Sequence, residues 1–349
     1  MKRIFLASAL AAVAAMSTAV FAQQANPGQT ASPPAQSPRI EDRSNMLDAV
    51  VVSGRVAGPG FWQVYKDDNH DLWIMGTLKP LPANIQWDST AVRALVAGAN
   101  EVLWAPSYSV NVKANIFQQA MLGVGYWKAQ KNPEGKSLKE VLPPALYARW
   151  LAVKSKYMPR NSSVERKRPL VAAQQLFDAA IEVAELSDKP LVYPALKATI
   201  DAAGTRSTYP SFEVNVTNAT AKAALSDVRR VSLDDAKCME ATLDAVENDV
   251  PRMVANANAW ARGEVAGINF AALARRDAVC SDALMNADFS EKYGLPNIQK
   301  SVADLWLKRA ESALSRNTVT VAFVPMEQLV GPNNYLERLR AMGYTVNNP

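Results

Sequence analysis

Histidine is almost absent from this chain of 349 residues: His70 is the only one, and only two cysteines accompany it. A zinc site built on two histidines, or an acid–base pair of histidines, therefore cannot form within one subunit. The sequence also lacks the G-x-S-x-G elbow, the Walker phosphate loop and the S-x-x-K motif. Serine hydrolysis and nucleotide-driven chemistry are thus without support.

The sequence also has no large excess of positive or negative residues. The chain has 38 Lys+Arg and 33 Asp+Glu, and 49% of its residues are hydrophobic. That balance is typical of a globular protein. The positive excess is too small to predict nucleic-acid binding.

The first 22 residues have the pattern of a secretory signal. Lys2 and Arg3 precede a run of small and apolar residues, and Val20 and Ala22 stand at the −3 and −1 positions of a cleavage site. We predict cleavage after Ala22 and a periplasmic mature protein with no membrane span; a retained membrane anchor is the alternative. Residues 23–45 are rich in Gln, Pro, Ser and Ala, which predicts a flexible leader.

Export changes the interpretation of Cys238 and Cys280. In an oxidising compartment a pair of cysteines usually forms a disulfide. Both cysteines lie in predicted helices, so that a disulfide would join two helices. The alternative is two unpaired buried thiols, and the absence of C-x-x-C spacing argues against a redox site.

Strand and helix patterns alternate at both ends of the folded part. Strands are predicted at residues 61–65, 72–75, 101–105, 209–214, 318–324 and 344–346. Helices are predicted at residues 89–98, through most of 112–186, from 233 to 316 with breaks, and at 334–342. This order predicts an α/β (α+β) fold with a mixed central sheet. We expect one domain over residues 46–349, with a helical insertion at about 110–205 and a second helical region at about 219–316.

Two motifs near the ends of this domain resemble the TraB/GumN family, whose animal relatives include the Tiki metalloproteases. Residues 72–82 (LWIMGTLKPLP), which follow 61–64 (FWQV), are similar to the family's amino-terminal strand pair. Residues 321–331 (VAFVPMEQLVG) and 343–346 (GYTV) are similar to its carboxyl-terminal motif. Residues 259–264 (AWARGE) resemble a recurring middle segment. The resemblance covers residues 58–347 and implies the mixed α/β fold of the family.

The same comparison shows which family residues this chain lacks. The chemistry of the family is ascribed to two G-x-x-H motifs whose histidines meet at a metal. The first motif keeps Gly76 but has Lys79 in place of the histidine. The second has Pro325 in place of the glycine and Gln328 in place of the histidine. A protonated lysine does not ligate a divalent metal, and a glutamine carbonyl suits zinc poorly, so we expect no metal and no other cofactor.

The resemblance implies that the remaining polar residues meet in one pocket. Glu213 stands at a strand end where the family keeps a carboxylate, and Glu327 lies in the second motif. The candidate binding residues are Gly76, Lys79, Glu213, Glu327 and Gln328. One interpretation is an ion-paired site in which Lys79 holds a carboxylate or an anionic ligand. The other is a vestigial cleft without a ligand.

Three functions stay open at this point. We expect no metallopeptidase activity of the family type, so that the protein acts as a periplasmic binding or accessory protein. The alternative is an active hydrolase that uses the carboxylates of Glu213 and Glu327, with an oxygen-ligated metal such as Mn²⁺. The third is a structural partner in envelope machinery, which would expose a broad apolar patch. The partner itself, an envelope protein, a peptide or a polysaccharide, is not identified by the sequence.

Overall fold

The computed structural model describes residues 58–349 apart from 231–233, 266–267, 269–270, 286 and 331–332. The predicted signal peptide and the predicted leader lie outside the described residues. No helix of the described part is long and apolar enough to cross a membrane.

The strands and helices of the described residues are numbered in chain order. The strands are β1 (Phe61–Tyr65), β2 (Asp71–Thr77), β3 (Leu81–Pro82), β4 (Glu101–Trp104), β5 (Ser107–Lys113), β6 (Leu186–Ser187), β7 (Arg206–Thr208), β8 (Ser211–Thr217), β9 (Val319–Pro325) and β10 (Thr345–Asn347). The helices of the first half are α1 (Thr90–Ala97), α2 (Ile116–Ala129), α3 (Leu138–Val141), α4 (Pro144–Tyr157), α5 (Pro169–Val183) and α6 (Val192–Ala203). Those of the second half are α7 (Asn218–Arg230), α8 (Asp235–Asp244), α9 (Val250–Ala261), α10 (Ala271–Met285), α11 (Ala287–Lys292), α12 (Ile298–Leu314), α13 (Glu327–Val330) and α14 (Tyr335–Ala341).

Six strands form one mixed sheet in the order β10-β1-β2-β9-β4-β7. Strand β1 runs antiparallel to β10 and β2, whereas β2, β9, β4 and β7 run parallel to one another. The parallel strands β4 and β9 are buried almost throughout, as expected for a sheet covered on both faces, while β1 alternates between buried and half-buried residues. The predicted α/β fold with a mixed central sheet is confirmed.

A two-stranded parallel sheet extends from β4 and β7. The strand predicted at 209–214 is observed as β8, which runs from Ser211 to Thr217. The short strand β7, which ends at Thr208, was not predicted, and Pro210 separates it from β8. Pro106 divides β4 from β5 in the same way. Proline lacks the N–H that a ladder needs. The prediction of helix from residue 112 onward also missed β5, which pairs with β8.

Three clusters of buried residues hold the protein together. The first packs the helices on the six-stranded sheet and contains Trp260, Trp306 and Phe323. The second lies among α4, α5 and α8 and contains Trp150. The third joins β8 to α2 and α7 around Leu122. The first cluster is the one that supports the sheet edge described below.

The two cysteines form a disulfide. The sulfur atoms of Cys238 and Cys280 are 2.04 Å apart. The bond joins α8 to α10, as predicted from the helical positions of both cysteines. The predicted disulfide is therefore confirmed over the alternative of two unpaired thiols.

Candidate functional site

The carboxyl ends of the four parallel strands meet at one edge of the sheet. Lys79 follows β2 and Glu327 follows β9, while Trp104 ends β4 and Tyr209 follows β7. In open α/β sheets, ligands bind in the crevice beyond the carboxyl ends of the strands. This edge is therefore the first place to look for a functional site.

Gly76, the retained glycine of the first motif, lies in close packing at the end of β2. A Cβ atom at this position would be 2.6 Å from Sδ and Cε of Met326, which follows β9. The carbonyl of Gly76 also accepts a hydrogen bond of 2.8 Å from the indole N–H of Trp260. The glycine thus holds the segment that leads to Lys79 against the segment that leads to Glu327.

Lys79 and Glu327 belong to a ring of four interacting charges that also contains Asp188 and Asp277. Partial burial raises the pKa of Asp188, and the positive charge of Lys79 opposes this rise. Partial burial also raises the pKa of Glu327; the charge of Asp277 adds to the rise and Lys79 opposes it. The pKa of Asp277 is raised by burial and by the charge of Asp188, against the effect of an adjacent arginine. These pairwise electrostatic interactions link Lys79, Asp188, Asp277 and Glu327 into one charged group.

Water reaches this ring of charges. Lys79, Asp277 and Glu327 are exposed and Asp188 is half-buried. Side chains that are exposed to solvent, and are still desolvated by the protein around them, lie in a recessed part of the surface, which we call the cleft. Within the part of the chain that the structure describes, Lys79 forms no direct ion pair, so it interacts with the carboxylates through space.

Arg276 is buried beside the cleft, on the side formed by helices α5 and α10. This buried guanidinium donates hydrogen bonds to Oδ1 of Asp277 at 2.7 Å and to Oε1 of Gln174 at 2.6 Å. It also lies 3.8 Å above the centre of the Phe177 ring. Gln174 in turn donates to Oδ1 of Asp178 at 2.7 Å. These contacts from α5 and α10 hold the arginine in place beside the charged ring.

The cleft as a whole is acidic. Its four carboxylates and two cations are those of Asp178, Asp188, Asp277, Glu327, Lys79 and Arg276. With all six groups ionised, the carboxylates leave a surplus of two negative charges. Partial burial raises the pKa of each carboxyl group. A positive group that entered the cleft would stabilise the ionised carboxylates.

The donors of this cleft do not fit the metal that the family resemblance implies. The motif resemblance implies that Lys79 and Gln328 replace the two family histidines, and both side chains are exposed. Among the described residues, no three His, Cys, Asp or Glu side chains lie close enough together to hold a metal ion. An ammonium group at the place of a first ligand repels a divalent cation. This set of residues suits charged organic groups better than zinc.

Aromatic side chains occupy the other half of the sheet edge. The ring of Trp104 stacks on Phe323 at 5.0 Å and on Tyr209 at 5.8 Å between centroids. It also meets Tyr193 edge-on at 5.3 Å. Tyr193 and Tyr209 are 38% and 56% exposed, whereas Trp104 and Phe323 are buried. The two tyrosines therefore give the edge a surface on which an apolar or planar group can stack.

Glu213 lies in a different sheet from the other predicted site residues. It is an exposed residue of β8, in the two-stranded sheet formed with β5. Among the described residues, no hydrogen bond, ion pair or electrostatic interaction joins it to Lys79, Glu327 or Gln328. The structure thus brings Lys79 and Glu327 together beside Gly76, and a role for Glu213 at the same site stays a prediction.

Four residues of the cleft were not predicted from the sequence. Asp178, Asp188, Arg276 and Asp277 come from α5, from the residue after β6 and from α10, and none stands in a recognisable motif. One weak signal was present in α5. Gln174 and Asp178 are polar residues one turn apart in a helix that is otherwise mostly apolar, which indicates a polar contact on that face.

A second charged cluster lies at the opposite end of the sheet. Glu101 begins β4 and is 3% exposed. Burial alone would raise the pKa of Glu101, but hydrogen bonds from Thr208 at 2.5 Å, Asn317 at 2.8 Å and Arg206 at 2.5 Å lower it below its ordinary value. These contacts join the starts of β4 and β9 to β7. We therefore assign Glu101 a structural role.

The fold and the cleft define a class: an α/β protein with a mixed sheet whose polar site lies at the carboxyl ends of the parallel strands. The chain belongs to the TraB/PrgY/gumN family, whose family model matches residues 60–348. The resemblance drawn from the two terminal motifs is thereby confirmed. No curated protein and no solved structure matches the chain.

Proposed function

We propose that this member of the TraB/PrgY/gumN family is an exported binding or accessory protein whose cleft takes up a positively charged segment of a peptide or protein. The secretory pattern of residues 1–22 supports export. The disulfide between Cys238 and Cys280 also supports an oxidising compartment such as the periplasm. Lys79 and Gln328 at the histidine positions support the absence of family-type metallopeptidase activity.

The observation that carries this proposal is the surplus of carboxylates around Lys79. Asp188, Asp277 and Glu327 share the solvent-open cleft with one lysine. Partial burial makes their ionised forms unfavourable, and a ligand ammonium or guanidinium group would reverse that effect. The surplus favours a cationic ligand over the anionic one that Lys79 alone suggests.

The exposed aromatic half of the edge supports a ligand with side chains of more than one kind. Tyr193 and Tyr209 lie along the same edge as the charged cleft, at the ends of different strands and helices. A peptide has both a cationic group for the carboxylates and apolar or planar groups for the tyrosines. A free inorganic cation would interact only with the carboxylates and not with the tyrosines.

Calorimetric titration tests the proposal directly. The mature protein is titrated with a short peptide that contains lysine and arginine, and with the same peptide carrying glutamine at those positions. We expect the cationic peptide to bind, with an affinity that falls as salt is raised, and the glutamine peptide to bind at least about tenfold more weakly. Equal binding of the two peptides would overturn the proposal.

Variants of the cleft locate the binding. We expect Asp188→Asn/Asp277→Asn to weaken binding of the cationic peptide by about tenfold or more, because it removes two of the four carboxylates of the cleft. The matched control is Asp68→Asn/Glu240→Gln, which removes two exposed carboxylates outside the cleft. An equal loss in both double variants would show a non-specific charge effect and would contradict binding in the cleft.

Hydrolysis is the second candidate function, and one observation favours it. The pKa of Glu327 is raised by partial burial and by Asp277, and a raised carboxyl pKa is a property of general acids. Peptide incubated with the protein is analysed for cleavage products by mass spectrometry. Cleavage that is lost in both Glu213→Gln and Glu327→Gln would establish the hydrolase and contradict a purely binding role.

A further inference from the structure

Helix α2 exposes an unusually apolar face. Ile116, Phe117, Met121, Val124 and Trp127 are 77%, 80%, 68%, 50% and 62% exposed. These five are among twelve exposed large hydrophobic residues of the described chain, so nearly half of them lie on one helix of fourteen residues. Together they present an apolar area on the order of several hundred Å², a size that marks interaction sites in soluble proteins. We call these five residues the apolar face of α2.

The protein holds this face rigidly in place. The opposite side of α2 is buried, with Leu122 and Ala129 packed in the third cluster against β8 and α7. At the start of the helix, the side chain of Asn115 accepts a hydrogen bond from the backbone N–H of Gln118, and the Gln118 side chain accepts one from the backbone N–H of Asn115, each at 2.9 Å. A capped and packed helix with an uncovered apolar side is ready for a partner.

Only positive charges flank the apolar face in the sequence. Lys113 precedes the helix, Lys128 lies in its last turn and Lys131 follows it, and all three side chains are exposed. No acidic residue occurs between Glu101 and Glu134. The segment that carries α2 is thus apolar along one exposed side of the helix and positive at both of its ends.

A basic cavity opens beside the carboxyl end of α2. It has a volume of about 410 Å³, and its lining includes Lys128, Lys131 and Arg229. The one carboxylate in the lining, Glu134, is already paired with Lys136 at 2.7 Å. The cavity is large enough for a phosphate group and offers three cations to it.

The charges distinguish between two possible occupants. In a two-fold dimer the same face meets itself, so an antiparallel pair of α2 helices would bring Lys128 and Lys131 of one copy towards Lys113 of the other. No acidic residue of this segment is present to pair with them, and like charges at the rim oppose such an interface. A membrane surface with anionic lipids accepts the apolar face and all the lysines together.

We propose that the apolar face of α2 docks the protein on anionic membranes, with the acyl region covering Phe117 and Trp127 and a lipid phosphate bound by Lys128, Lys131 and Arg229. The helix lies in the plane of the membrane surface and does not cross it, because fourteen residues are too short to span a bilayer. This docking is independent of the cleft at the sheet edge. If the protein does not dock on membranes through α2, the proposed function of the cleft is not affected.

Flotation with lipid vesicles tests the proposal. The mature chain from Gln23 is mixed with vesicles of phosphatidylcholine alone, or of phosphatidylcholine with an equal amount of phosphatidylglycerol. We expect the protein to float with the anionic vesicles, to be released by high salt, and to stay in solution with neutral vesicles. Equal flotation with both kinds of vesicle, or flotation with neither, would overturn the proposal.

Two pairs of variants separate the apolar contribution from the charged one. We expect Phe117→Ser/Trp127→Ser and Lys128→Gln/Lys131→Gln each to lower vesicle binding by about tenfold or more. The matched controls are Leu151→Ser/Val254→Ser, which are 41% and 42% exposed elsewhere, and Lys156→Gln/Lys308→Gln. Circular dichroism confirms that each variant is folded. Control pairs that reduce binding as much as the α2 pairs would contradict docking through α2.

Two further results would assign the face to another occupant. Analytical ultracentrifugation that shows a dimer, dissociated by Phe117→Ser/Trp127→Ser, without any vesicle binding would replace the membrane by a second copy. Binding of inorganic phosphate that depends on Lys128 and Lys131, again without vesicle binding, would make the cavity a site for a soluble anion. Either result would overturn docking on lipid.

Discussion

Glu327 carries a carboxyl group that is less acidic in the folded protein than in the unfolded chain. Partial burial and the charge of Asp277 raise its pKa, so the folded state binds the proton more tightly. Ionisation of Glu327 therefore lowers the free energy of unfolding as the pH rises from the ordinary pKa through the raised one. We predict that Glu327→Gln increases the free energy of unfolding near pH 8 by about 0.5 kcal/mol, a small gain because the group is exposed.

Below about pH 4 the gain should vanish, because the carboxyl is then protonated in both states. Urea unfolding at a series of pH values measures the difference between variant and wild type. The matched control is Asp68→Asn in the exposed turn before β2, which removes one negative charge far from Asp277 in the chain. A Glu327→Gln variant that gains no stability at any pH would contradict the environment assigned to this group.

Gly76 provides a steric prediction at the same site. Its missing Cβ would lie 2.6 Å from the end of the buried Met326 side chain, so Gly76→Ala should lower the free energy of unfolding by about 1–3 kcal/mol. Met326→Ala alone should cost about 2–5 kcal/mol through the cavity it leaves. We predict that the double variant loses less than the sum of the two, since each change makes room for the other.

Chemical unfolding of the two single variants and of the double variant closes this cycle. Strictly additive losses would show that the two residues do not compete for space. The hydrogen bond from Trp260 to the Gly76 carbonyl is kept in all three variants, which makes the cycle specific for packing.

At the residue scale, the sequence predicted two of the six charged residues of the cleft. Lys79 and Glu327 were found because they stand in motifs at the ends of β2 and β9, and parallel strands bring their carboxyl ends together. Asp178, Asp188, Arg276 and Asp277 lie in α5, directly after β6, and in α10. They were not predicted because tertiary contacts that no local pattern encodes bring them towards Lys79 and Glu327.

At the scale of elements, the disulfide between Cys238 and Cys280 joins α8 to α10. It closes a loop of 42 residues, and the chain-entropy treatment gives such a bond a contribution of about 3–4 kcal/mol. We predict that Cys238→Ala/Cys280→Ala lowers the free energy of unfolding by this amount. Urea unfolding with and without dithiothreitol measures it.

Reduced wild type serves as the control for the double variant. Both lack the bond, so their unfolding midpoints should agree closely. A wild type whose midpoint does not change under full reduction would contradict the stabilising role of the disulfide.

The start of α5 is joined to two other helices by a buried ion pair. The guanidinium of Arg168 donates to Oδ2 of Asp235 at 2.7 Å and to the carbonyl of Val228 at 2.6 Å. Burial raises the pKa of Asp235, and Arg168 opposes the rise. Without the arginine, Asp235 would be a buried carboxylate with no counter-charge, so Arg168→Met should cost about 3–5 kcal/mol at neutral pH.

The loss in Arg168→Met should depend on pH in a defined direction. As the pH falls through the further raised pKa of Asp235, the carboxyl becomes neutral and the uncompensated charge disappears. The difference between variant and wild type should therefore be smaller near pH 5 than near pH 7. Unfolding curves at the two pH values check this, and a difference that stays constant would contradict the buried charge as its cause.

The elements themselves were largely predictable, and the exceptions have physical reasons. The strands β1, β2, β4, β9 and β10 follow clear apolar runs, and the structure contains all of them. The strand predicted at 209–214 begins two residues later, at Ser211, because Pro210 lacks the N–H that a ladder needs. Strand β5 was not predicted, although Tyr108, Val110 and Val112 alternate with polar residues as in a strand with one solvent-exposed face.

At the scale of the whole molecule, the family fold and the function of the site are separate matters. The mixed sheet, the loops after β2 and β9 and the packing of Gly76 are in place, and the chain belongs to the TraB/PrgY/gumN family. These loops contribute Lys79 and Glu327 to the cleft, and the motif resemblance implies that Lys79 and Gln328 replace the two histidines of the family. A fold can keep its architecture while the chemistry at its site changes.

The central claim is that this cleft is a site for charged organic ligands and not for a metal. Elemental analysis of the purified mature protein, after incubation with Zn²⁺, Mn²⁺ or Co²⁺ and removal of unbound ions, tests it most directly. The motif resemblance implies that Lys79 stands where the family has its first ligand, and an ammonium group repels a divalent ion, so we predict far less than one equivalent of metal per chain. One equivalent of metal that disappears in Glu213→Ala/Glu327→Ala would contradict the claim and make peptide hydrolysis the function to assay.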